Sequence, residues 1–390
     1  MRQGARSGGG QAATMVLVAG ALAACGRGGQ PLPAVDAAAT TPTPTVTADA
    51  GAAAGRSDAG GGATAGPDAA APLDTRPPFI APAAWEVCAT IPAGGPPPAS
   101  PRPDDAVEAL AVSPDGAYLA SSIYRERSVV RLWRLPDGSP HLRKEGLPDG
   151  AGLSLGFSPD GKLVTAAGDG RAVFSAADGS EPYPVPFPPD IIISGIYAAT
   201  SLRFSPDGTL LAAGGWGASA FLHDAATGAL LEKVPSAIES PAVAFSADGR
   251  FLATSAPELV RLSDQVNVWG TATGTSHDQY VESSVEFSPD GTQLLVSSCA
   301  GGSPYHCTVR SKLVRVADGT LVEDLGALVP RRPQFLPGGA HLLGGARIVD
   351  LRTHAATVLP APAELSLFLP DGRIAAGGPD GVVRLLCPRP

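Results

Sequence analysis

Five copies of one tetrapeptide decide the fold of this chain: Ser113-Pro114-Asp115-Gly116, Ser158-Pro159-Asp160-Gly161, Ser205-Pro206-Asp207-Gly208, Ser246-Ala247-Asp248-Gly249 and Ser288-Pro289-Asp290-Gly291. Two looser copies follow at Leu336-Pro337-Gly338-Gly339 and Leu369-Pro370-Asp371-Gly372. Proline presets the backbone at a turn position, the aspartate side chain bonds back to the chain, and glycine tolerates a positive φ angle. Each copy lies between two short apolar runs and therefore predicts the turn of a β-hairpin.

The spacing of these copies predicts the architecture. Successive copies lie 45, 47, 41, 42, 48 and 33 residues apart, and another strand-like run follows each of them, such as Val130-Arg131-Leu132-Trp133. Most of these runs lead into a further turn, such as Thr227-Gly228. A period of about 40–45 residues with four strands per period is typical of a propeller blade. We therefore predict an all-β fold, a seven-bladed β-propeller of four-stranded antiparallel blades.

These repeats resemble those of the WD-repeat family and, more broadly, of bacterial propellers that carry the same turn. The resemblance covers residues 83–388 and implies the propeller fold. The chain departs from the family in lacking Gly-His dipeptides and a Trp-Asp pair, since Trp133-Arg134 and Trp269-Gly270 stand where that pair is expected. The buried polar network of the family's blades is therefore not expected here.

The N-terminus has the features of an export signal. Arg2 and Arg6 precede an uncharged run over residues 12–24, which is too short to span a bilayer as a permanent helix. The run ends in Leu22-Ala23-Ala24-Cys25, which resembles the lipobox of bacterial lipoproteins, and Gly26 follows the cysteine. The resemblance implies cleavage after residue 24, a lipid on Cys25 and the outer rather than the inner membrane. The alternative is an ordinary signal peptide with a cysteine near its end.

A low-complexity segment follows the signal. Residues 25–82 are dominated by Ala, Gly, Pro, Thr and Asp, and the first aromatic residue of the chain is Phe79. Such a composition buries too little apolar surface to offset the entropy of ordering. We predict three parts: a signal peptide over 1–24, a lipid-anchored disordered tether over 25–82, and the propeller over 83–390.

The ends of the propeller are expected to close the ring. The run from Trp85 to Ile91 precedes the first repeat and is expected to complete the last blade, which hides an open sheet edge. Cys88 on this run and Cys387 near the C-terminus are predicted to form a disulfide across the closure. Cys299 and Cys307 are predicted to form a second one. His306 beside Cys307 raises a metal site as the rival interpretation, but a fourth ligand is missing.

Charge and motifs exclude several functions. The net charge is −9 and no basic face is clustered, which argues against nucleic-acid binding. The repeated aspartates occupy the same turn in successive repeats, so we interpret them as structural. No HExxH, GxSxG or phosphate-binding GxxxxGKS/T pattern is present. We therefore expect neither an enzyme nor a bound cofactor or metal.

The loops opposite the repeated turns are the predicted binding surface. Aromatic residues and arginines on loops are common where proteins bind one another. The residues expected to contact a partner are Tyr124, Arg125, Arg127, Phe187, Trp216 and Tyr305. The sequence thus predicts a monomeric propeller, anchored at the bacterial cell envelope, that binds a partner protein there as a scaffold.

Two alternatives stay open. A propeller enzyme, or a sensor of a small ligand or metal, would use the central channel and would place carboxylates at its mouth. A polysaccharide-binding module would present Tyr124, Trp216 and Tyr305 as one exposed aromatic surface.

Overall fold

The hairpins expected from the repeated turns are present in the computed structural model, where they build a seven-bladed β-propeller. The structure describes residues 76–93, 105–123, 126, 128–135, 137–148, 154–168, 170–186, 199–215, 219–235, 242–255, 258–264, 266–270, 283–300, 308–329 and 332–389. Neighbouring strands pair antiparallel in every sheet, as predicted.

The strands run in chain order from β1 (Ala84–Pro92), which precedes blade 1. Blade 1 contains β2 (Val107–Val112), β3 (Tyr118–Ile123), β4 (Val130–Arg134) and β5 (Pro140–Lys144). Blade 2 contains β6 (Ser154–Phe157), β7 (Leu163–Ala167) and β8 (Arg171–Ser175) within the described residues. Blade 3 contains β9 (Ala199–Phe204), β10 (Leu210–Gly215), β11 (Ser219–Asp224) and β12 (Leu230–Pro235).

Blade 4 contains β13 (Val243–Phe245), β14 (Phe251–Thr254), β15 (Glu258–Arg261) and β16 (Val266–Gly270). Blade 5 contains β17 (Ser283–Phe287), β18 (Gln293–Ala300), β19 (Thr308–Arg315) and β20 (Leu321–Gly326). Blade 6 contains β21 (Gln334–Phe335), β22 (His341–Gly344), β23 (Arg347–Asp350) and β24 (Ala356–Val358). Blade 7 contains β25 (Leu365–Phe368), β26 (Ile374–Gly377), β27 (Val382–Arg389) and β1.

Both chain ends of the propeller meet in blade 7. Strand β1 pairs antiparallel with β27, from Ala84 opposite Arg389 to Pro92 opposite Val382, and it forms the outer edge of that sheet. This confirms that the run before the first repeat completes the last blade. The predicted disulfide is present: Cys88 and Cys387 are bridged with their Cα atoms 5.8 Å apart. The last blade is therefore held by a ladder of hydrogen bonds and by a covalent bond.

The blades are joined by seven apolar clusters, one at each interface between neighbouring sheets. The cluster between blades 1 and 2 includes Leu132 and Phe174, and the cluster that closes the ring between blades 7 and 1 includes Ile91 and Leu385. The remaining five interfaces are filled in the same way. The first strands contact one another from β2 through β6, β9, β13 and β17 to β21, and β25 contacts β2. The Gln334 side chain of β21 donates to the Ser366 carbonyl of β25 and completes the ring. These seven strands define the central channel.

The repeated turns join the first and second strand of each blade. In blade 1 the Ser113 hydroxyl donates to Asp115 Oδ1 at 2.6 Å and accepts from the Tyr118 N–H at 2.9 Å. Gly116 has a φ of 71°, which explains the glycine at the last position. The same serine–aspartate bond recurs in blades 2, 3, 4 and 5. We call the side of the disc that carries these turns the turn face, and the opposite side the loop face.

The looser turn of blade 6 holds the segment that precedes β1. The Phe79 N–H donates to the Pro337 carbonyl at 2.8 Å, and the Phe79 ring packs edge-on against Phe368. Gly338 replaces the aspartate of the other copies, and a Cβ atom at Gly338 would lie 3.0 Å from the Pro78 side chain. The glycine therefore leaves room for the chain to cross the turn face at blade 6.

Candidate functional site

The predicted partner-binding residues and several cysteines lie outside the residues that the structure describes. They are Tyr124, Arg125, Arg127, Phe187, Trp216, Tyr305, Cys25, Cys307 and the side chain of Cys299. The loop-face surface, the lipidation site and the second disulfide therefore stay predictions. Glu126 belongs to the described part of the first of these loops, and its carboxylate accepts a hydrogen bond from Arg131 at 2.6 Å.

The first strands, which surround the central channel, carry charged residues that the sequence analysis missed. One side chain from each first strand occupies the position two residues before the repeated turn. These positions hold Ala111, Gly156, Arg203, Ala244, Glu286, Gln334 and Leu367. Ala111, Ala244 and Leu367 pack into the apolar clusters between blades, whereas blades 3, 5 and 6 contribute polar or charged groups. Aligning the seven repeats and reading this column would have found them.

Arg203 extends from blade 3 toward blade 2. Its Nη1 donates to Ser154 Oγ at 2.9 Å, to the Leu155 carbonyl at 3.3 Å and to the Leu202 carbonyl at 3.1 Å. Burial, followed by the nearby charge of Arg332, lowers the pKa of Arg203 to about 10. The charge of Glu286 acts in the opposite direction, and Arg203 stays a cation at neutral pH.

Glu286 lies on the first strand of blade 5. Its Oε1 accepts a hydrogen bond from the Phe335 N–H of blade 6 at 3.3 Å. Burial raises the pKa of Glu286 to about 8, against the opposing effects of that hydrogen bond and of the charges on Arg203 and Arg76. Burial therefore favours the protonated form of Glu286 more than it would for an exposed glutamate.

Blade 6 places two further polar side chains at the channel. Arg332 Nη1 donates to the Glu108 carbonyl of β2 at 2.7 Å, so it reaches past blade 7 to blade 1. Gln334 Nε2 donates to the Ser366 carbonyl of β25 at 2.8 Å. Arg332 has a φ of 48°, which costs energy for a residue other than glycine. The surrounding contacts maintain this strained backbone next to the channel.

A buried Arg–His pair between blades 2 and 3 has a structural role. His223 lies on β11, its Nδ1 is 3.1 Å from the Gly228 carbonyl, and its Nε2 is 3.3 Å from Arg171 Nη1. Burial, followed by the charge of Arg171, lowers the pKa of His223 to about 4. The imidazole is therefore neutral, with Nδ1 as the donor and Nε2 accepting from the guanidinium. Arg171 Nη2 also donates to the Pro186 carbonyl at 3.1 Å, so both side chains have hydrogen-bond partners inside the interface.

The outer edges of four consecutive blades expose apolar side chains. We call this set the apolar rim: Leu230 and Leu231 on β12, Val266 and Val268 on β16, Leu321 and Val322 on β20, and Val358 on β24. Leu231 and Leu321 are each 57% exposed. The corresponding strand of blade 1, β5, is polar by contrast, with the sequence PHLRK. Among the strands that the structure describes, each rim strand is the edge of its sheet. The outward backbone groups of an edge strand can pair with another strand.

The repeated carboxylates are committed to their own turns. Asp160 shows the pattern: the Ser158 hydroxyl, followed by the Lys162 N–H, lowers its pKa to about 2. Across the described ranges, no three His, Cys, Asp or Glu side chains lie close enough together to hold a metal ion. The same ranges contain no helix that is long and apolar enough to cross a membrane.

One segment of the chain matches a known family. Residues 194–224 match the model of the WD domain, G-beta repeat. This segment covers the first three strands of blade 3 and includes both the repeated turn at Ser205 and the channel residue Arg203. Comparison with the curated proteins finds no match to the chain.

Proposed function

We propose that this chain, a WD-repeat-like β-propeller, is a non-catalytic scaffold that binds a partner protein at the bacterial cell envelope. Propellers of the WD-repeat type generally serve as surfaces for protein interactions. The observation that carries the proposal is the apolar rim, because exposed apolar groups on unpaired sheet edges favour association with another polypeptide. The propeller acts as a monomer in this proposal.

The rim defines the kind of partner. Its strands present both open backbone groups and apolar side chains, which suits a partner that adds an extended strand to a sheet edge. Main-chain hydrogen bonds would supply affinity, and contacts with Leu231 or Val322 would select the partner's side chains. The loop-face residues predicted from the sequence, including Tyr124 and Phe187, offer a second surface that the same experiment tests.

Lipidation of Cys25 is the second element of the proposal. It is supported by the sequence that ends at Cys25 and by the composition of the segment up to residue 82. Cys25→Ser should abolish both labelling by a fatty-acid analogue and membrane association of the full chain, and retention of either contradicts the anchor.

In-cell crosslinking followed by purification and mass spectrometry tests the scaffold. The wild-type chain should recover one envelope protein in a stoichiometric amount. Leu231→Lys or Val322→Lys should reduce its recovery at least tenfold, because a charge at the edge opposes burial against a partner. Val87→Lys is the matched control, since Val87 is 43% exposed but lies on blade 7, outside the rim.

The two surfaces give different results in this experiment. Loss with Phe187→Ala and Tyr124→Ala, but not with the rim variants, would move the interface to the loop face and overturn the rim as the binding surface. Recovery of no protein by the wild-type chain would overturn the scaffold itself.

A further inference from the structure

The disulfide that closes the ring lies at the surface of blade 7. Cys88 is exposed and Cys387 is half-buried. Cys88 is also the residue that the ladder between β1 and β27 leaves out, because the register shifts between Val87 and Ala89 and makes Cys88 a bulge. A thiol in solution can therefore approach the bridge without any strand leaving the sheet.

The backbone around the bridge is also accessible. Among the described strands, β1 is the outer edge of blade 7. The side chains of Glu86, Val87 and Thr90, on either side of Cys88, are exposed. The outward backbone groups of an edge strand can pair with an extended segment of another protein. A protein that docks on β1 would thus meet Cys88 within the docked segment.

We propose that the bridge between Cys88 and Cys387 is a redox-sensitive latch, which an external dithiol of the Cys-x-x-Cys oxidoreductase class reduces in the folded protein. Exposed disulfides are the labile ones in thiol–disulfide exchange, whereas buried structural disulfides resist reduction. This inference concerns the closure of the ring and does not depend on the apolar rim or on the lipid anchor.

The exchange takes place in two steps. A thiolate of the dithiol attacks Sγ of Cys88, the more exposed cysteine, and forms a mixed disulfide. The electron pair of the broken S–S bond leaves on Cys387 Sγ, which takes up a proton from water. The second thiol of the reductant, after losing its proton, attacks the mixed disulfide and releases Cys88, which is protonated in turn. The dithiol loses two electrons and becomes a disulfide, and both cysteines become thiols.

Blade 7 has contacts that should hold it together after reduction. The ladder between β1 and β27 runs from Ala84 to Pro92. Trp85 and Ile91 of β1 are buried in the apolar clusters on the two sides of the blade. Reduction therefore replaces a covalently closed ring by one that is closed by hydrogen bonds and packing, and reoxidation restores the bridge.

A charged pair beside the bridge affects the approach of the reductant. Glu86 lies directly opposite Cys387 in the ladder, and Arg389 Nε donates to Glu86 Oε2 at 2.7 Å. The attacking thiolate is an anion, so the carboxylate opposes its approach and the guanidinium favours it. Removing the charge of Glu86 should therefore make reduction faster.

Reduction of the folded full chain in detergent by dithiothreitol tests the latch. Alkylation by N-ethylmaleimide, followed by peptide mass spectrometry, reports Cys88 and Cys387 separately from the other cysteines. Both should be alkylated at a rate that is proportional to the dithiothreitol concentration and unchanged by urea below the unfolding transition. The far-UV circular dichroism spectrum should stay the same. A rate that rises steeply with such urea, or loss of the spectrum on reduction, would overturn the latch.

The class of reductant is tested with thioredoxin as a second probe. At the same thiol concentration it should reduce the bridge at least tenfold faster than dithiothreitol, because it can also pair with the edge of β1. A rate no faster than that of dithiothreitol would overturn the assignment to a protein dithiol.

A charge variant tests direct attack at the folded edge. Glu86→Gln should raise the rate of reduction by dithiothreitol at least threefold. Glu364→Gln is the matched control, because Glu364 is an exposed glutamate next to β25, at the opposite edge of the same sheet. Equal rates for Glu86→Gln and the wild-type chain would overturn direct attack, since a local charge has no effect when unfolding limits the rate.

Discussion

The repeated turns and the channel wall are two residues apart in each blade, yet they are built in opposite ways. The turns are nearly identical copies, and their hydrogen bonds join residues two to five positions apart, as from Ser158 to Asp160 and from Leu163 to Ser158. The channel wall differs from blade to blade, and its contacts are distant in sequence, as between Arg332 and Glu108, which are 224 positions apart.

The turns stabilise each blade separately, whereas the contacts around the channel join different blades of the ring. Each hairpin requires the same turn, so the same turn residues recur in successive blades. A charged side chain at the channel does nothing for its own hairpin, and burying it costs free energy. Arg203 and Glu286 therefore have to be explained by the assembled ring, whereas Asp160 is explained by its own turn.

Removing the covalent closure of the ring should cause the largest loss of unfolding free energy among the variants considered. The disulfide joins residues 299 positions apart, and constraining a loop of that length contributes about 5 kcal/mol to the free energy of unfolding in the chain-entropy account. Cys88→Ser combined with Cys387→Ser should remove most of this contribution, as measured by urea unfolding of the full chain.

A variant of another cysteine is the control for that measurement. Cys299→Ser removes the predicted bridge to Cys307, which would close only a short loop, so its effect should be clearly smaller. Unfolding of the Cys88/Cys387 double variant at the wild-type urea concentration would show that the ladder between β1 and β27 suffices to close the ring.

Glu286→Gln should change how stability depends on pH. The folded-state pKa of about 8 exceeds the ordinary value of 4.5, so the folded chain binds more protons than the unfolded chain between these values. The free energy of unfolding of the wild-type chain should therefore fall as pH rises from 4.5 to 8. The glutamine variant lacks this loss and should be the more stable form at pH 8, by on the order of 1–3 kcal/mol after screening by channel water.

Thermal unfolding measured across this pH range provides the test. Glu364→Gln, at an exposed glutamate, is the control and should follow the wild-type curve. Parallel curves for Glu286→Gln and the wild-type chain would mean that Glu286 is ionised in the folded state, and the channel would then be less cationic than described.

Asp160→Ala should have a moderate effect confined to its turn. The variant loses the bond from the Ser158 hydroxyl and the bond from the Lys162 N–H, which together should lower the free energy of unfolding by about 1–2 kcal/mol. The pKa of Asp160 is lowered to about 2, so its contribution is full above pH 4 and is lost as the pH falls toward 2. The difference from the wild-type chain should shrink over that range.

The control for this turn distinguishes the hydrogen bonds from the ion pair. Lys162 lies 3.1 Å from Asp160, and both side chains are exposed, so Lys162→Ala should change the free energy of unfolding by less than about 0.5 kcal/mol. An equal loss of unfolding free energy in Asp160→Ala and Lys162→Ala would mean that the ion pair, rather than the hydrogen bonds of the turn, accounts for the contribution of Asp160.

The sequence predicted the features that repeat or that lie at the chain ends. Turn chemistry is local, so Ser113 to Gly116 and its copies predict hairpins without knowledge of the ring. Cys88 and Cys387 could be paired because a closed ring must bring the first and last strands together. Arg203 and Glu286 could not be recognised by their local pattern, because alternation along a strand does not say whether a side chain faces a neighbouring blade or the axis. Their role depends on strands 83 positions apart meeting around one channel.

The smallest expected effect comes from completing the motif in blade 4, where Ala247 stands in place of the proline of the other copies. The turn there keeps its hydrogen bonds from the Gly249 N–H to the Ser246 carbonyl and from the Ser246 hydroxyl to Asp248. Ala247 occupies the turn position that proline favours, and no described hydrogen bond uses its N–H.

Ala247→Pro should therefore raise the free energy of unfolding by about 0.4–1 kcal/mol, because proline restricts the unfolded chain. The reverse change Pro206→Ala in blade 3 should lower it by a similar amount, and urea unfolding of both variants measures the pair. Stabilisation by the first and destabilisation by the second would show that the turns are interchangeable units. Destabilisation by Ala247→Pro would instead mean that blade 4 holds its turn in a backbone conformation of its own, so the turns would differ from blade to blade as the channel wall does.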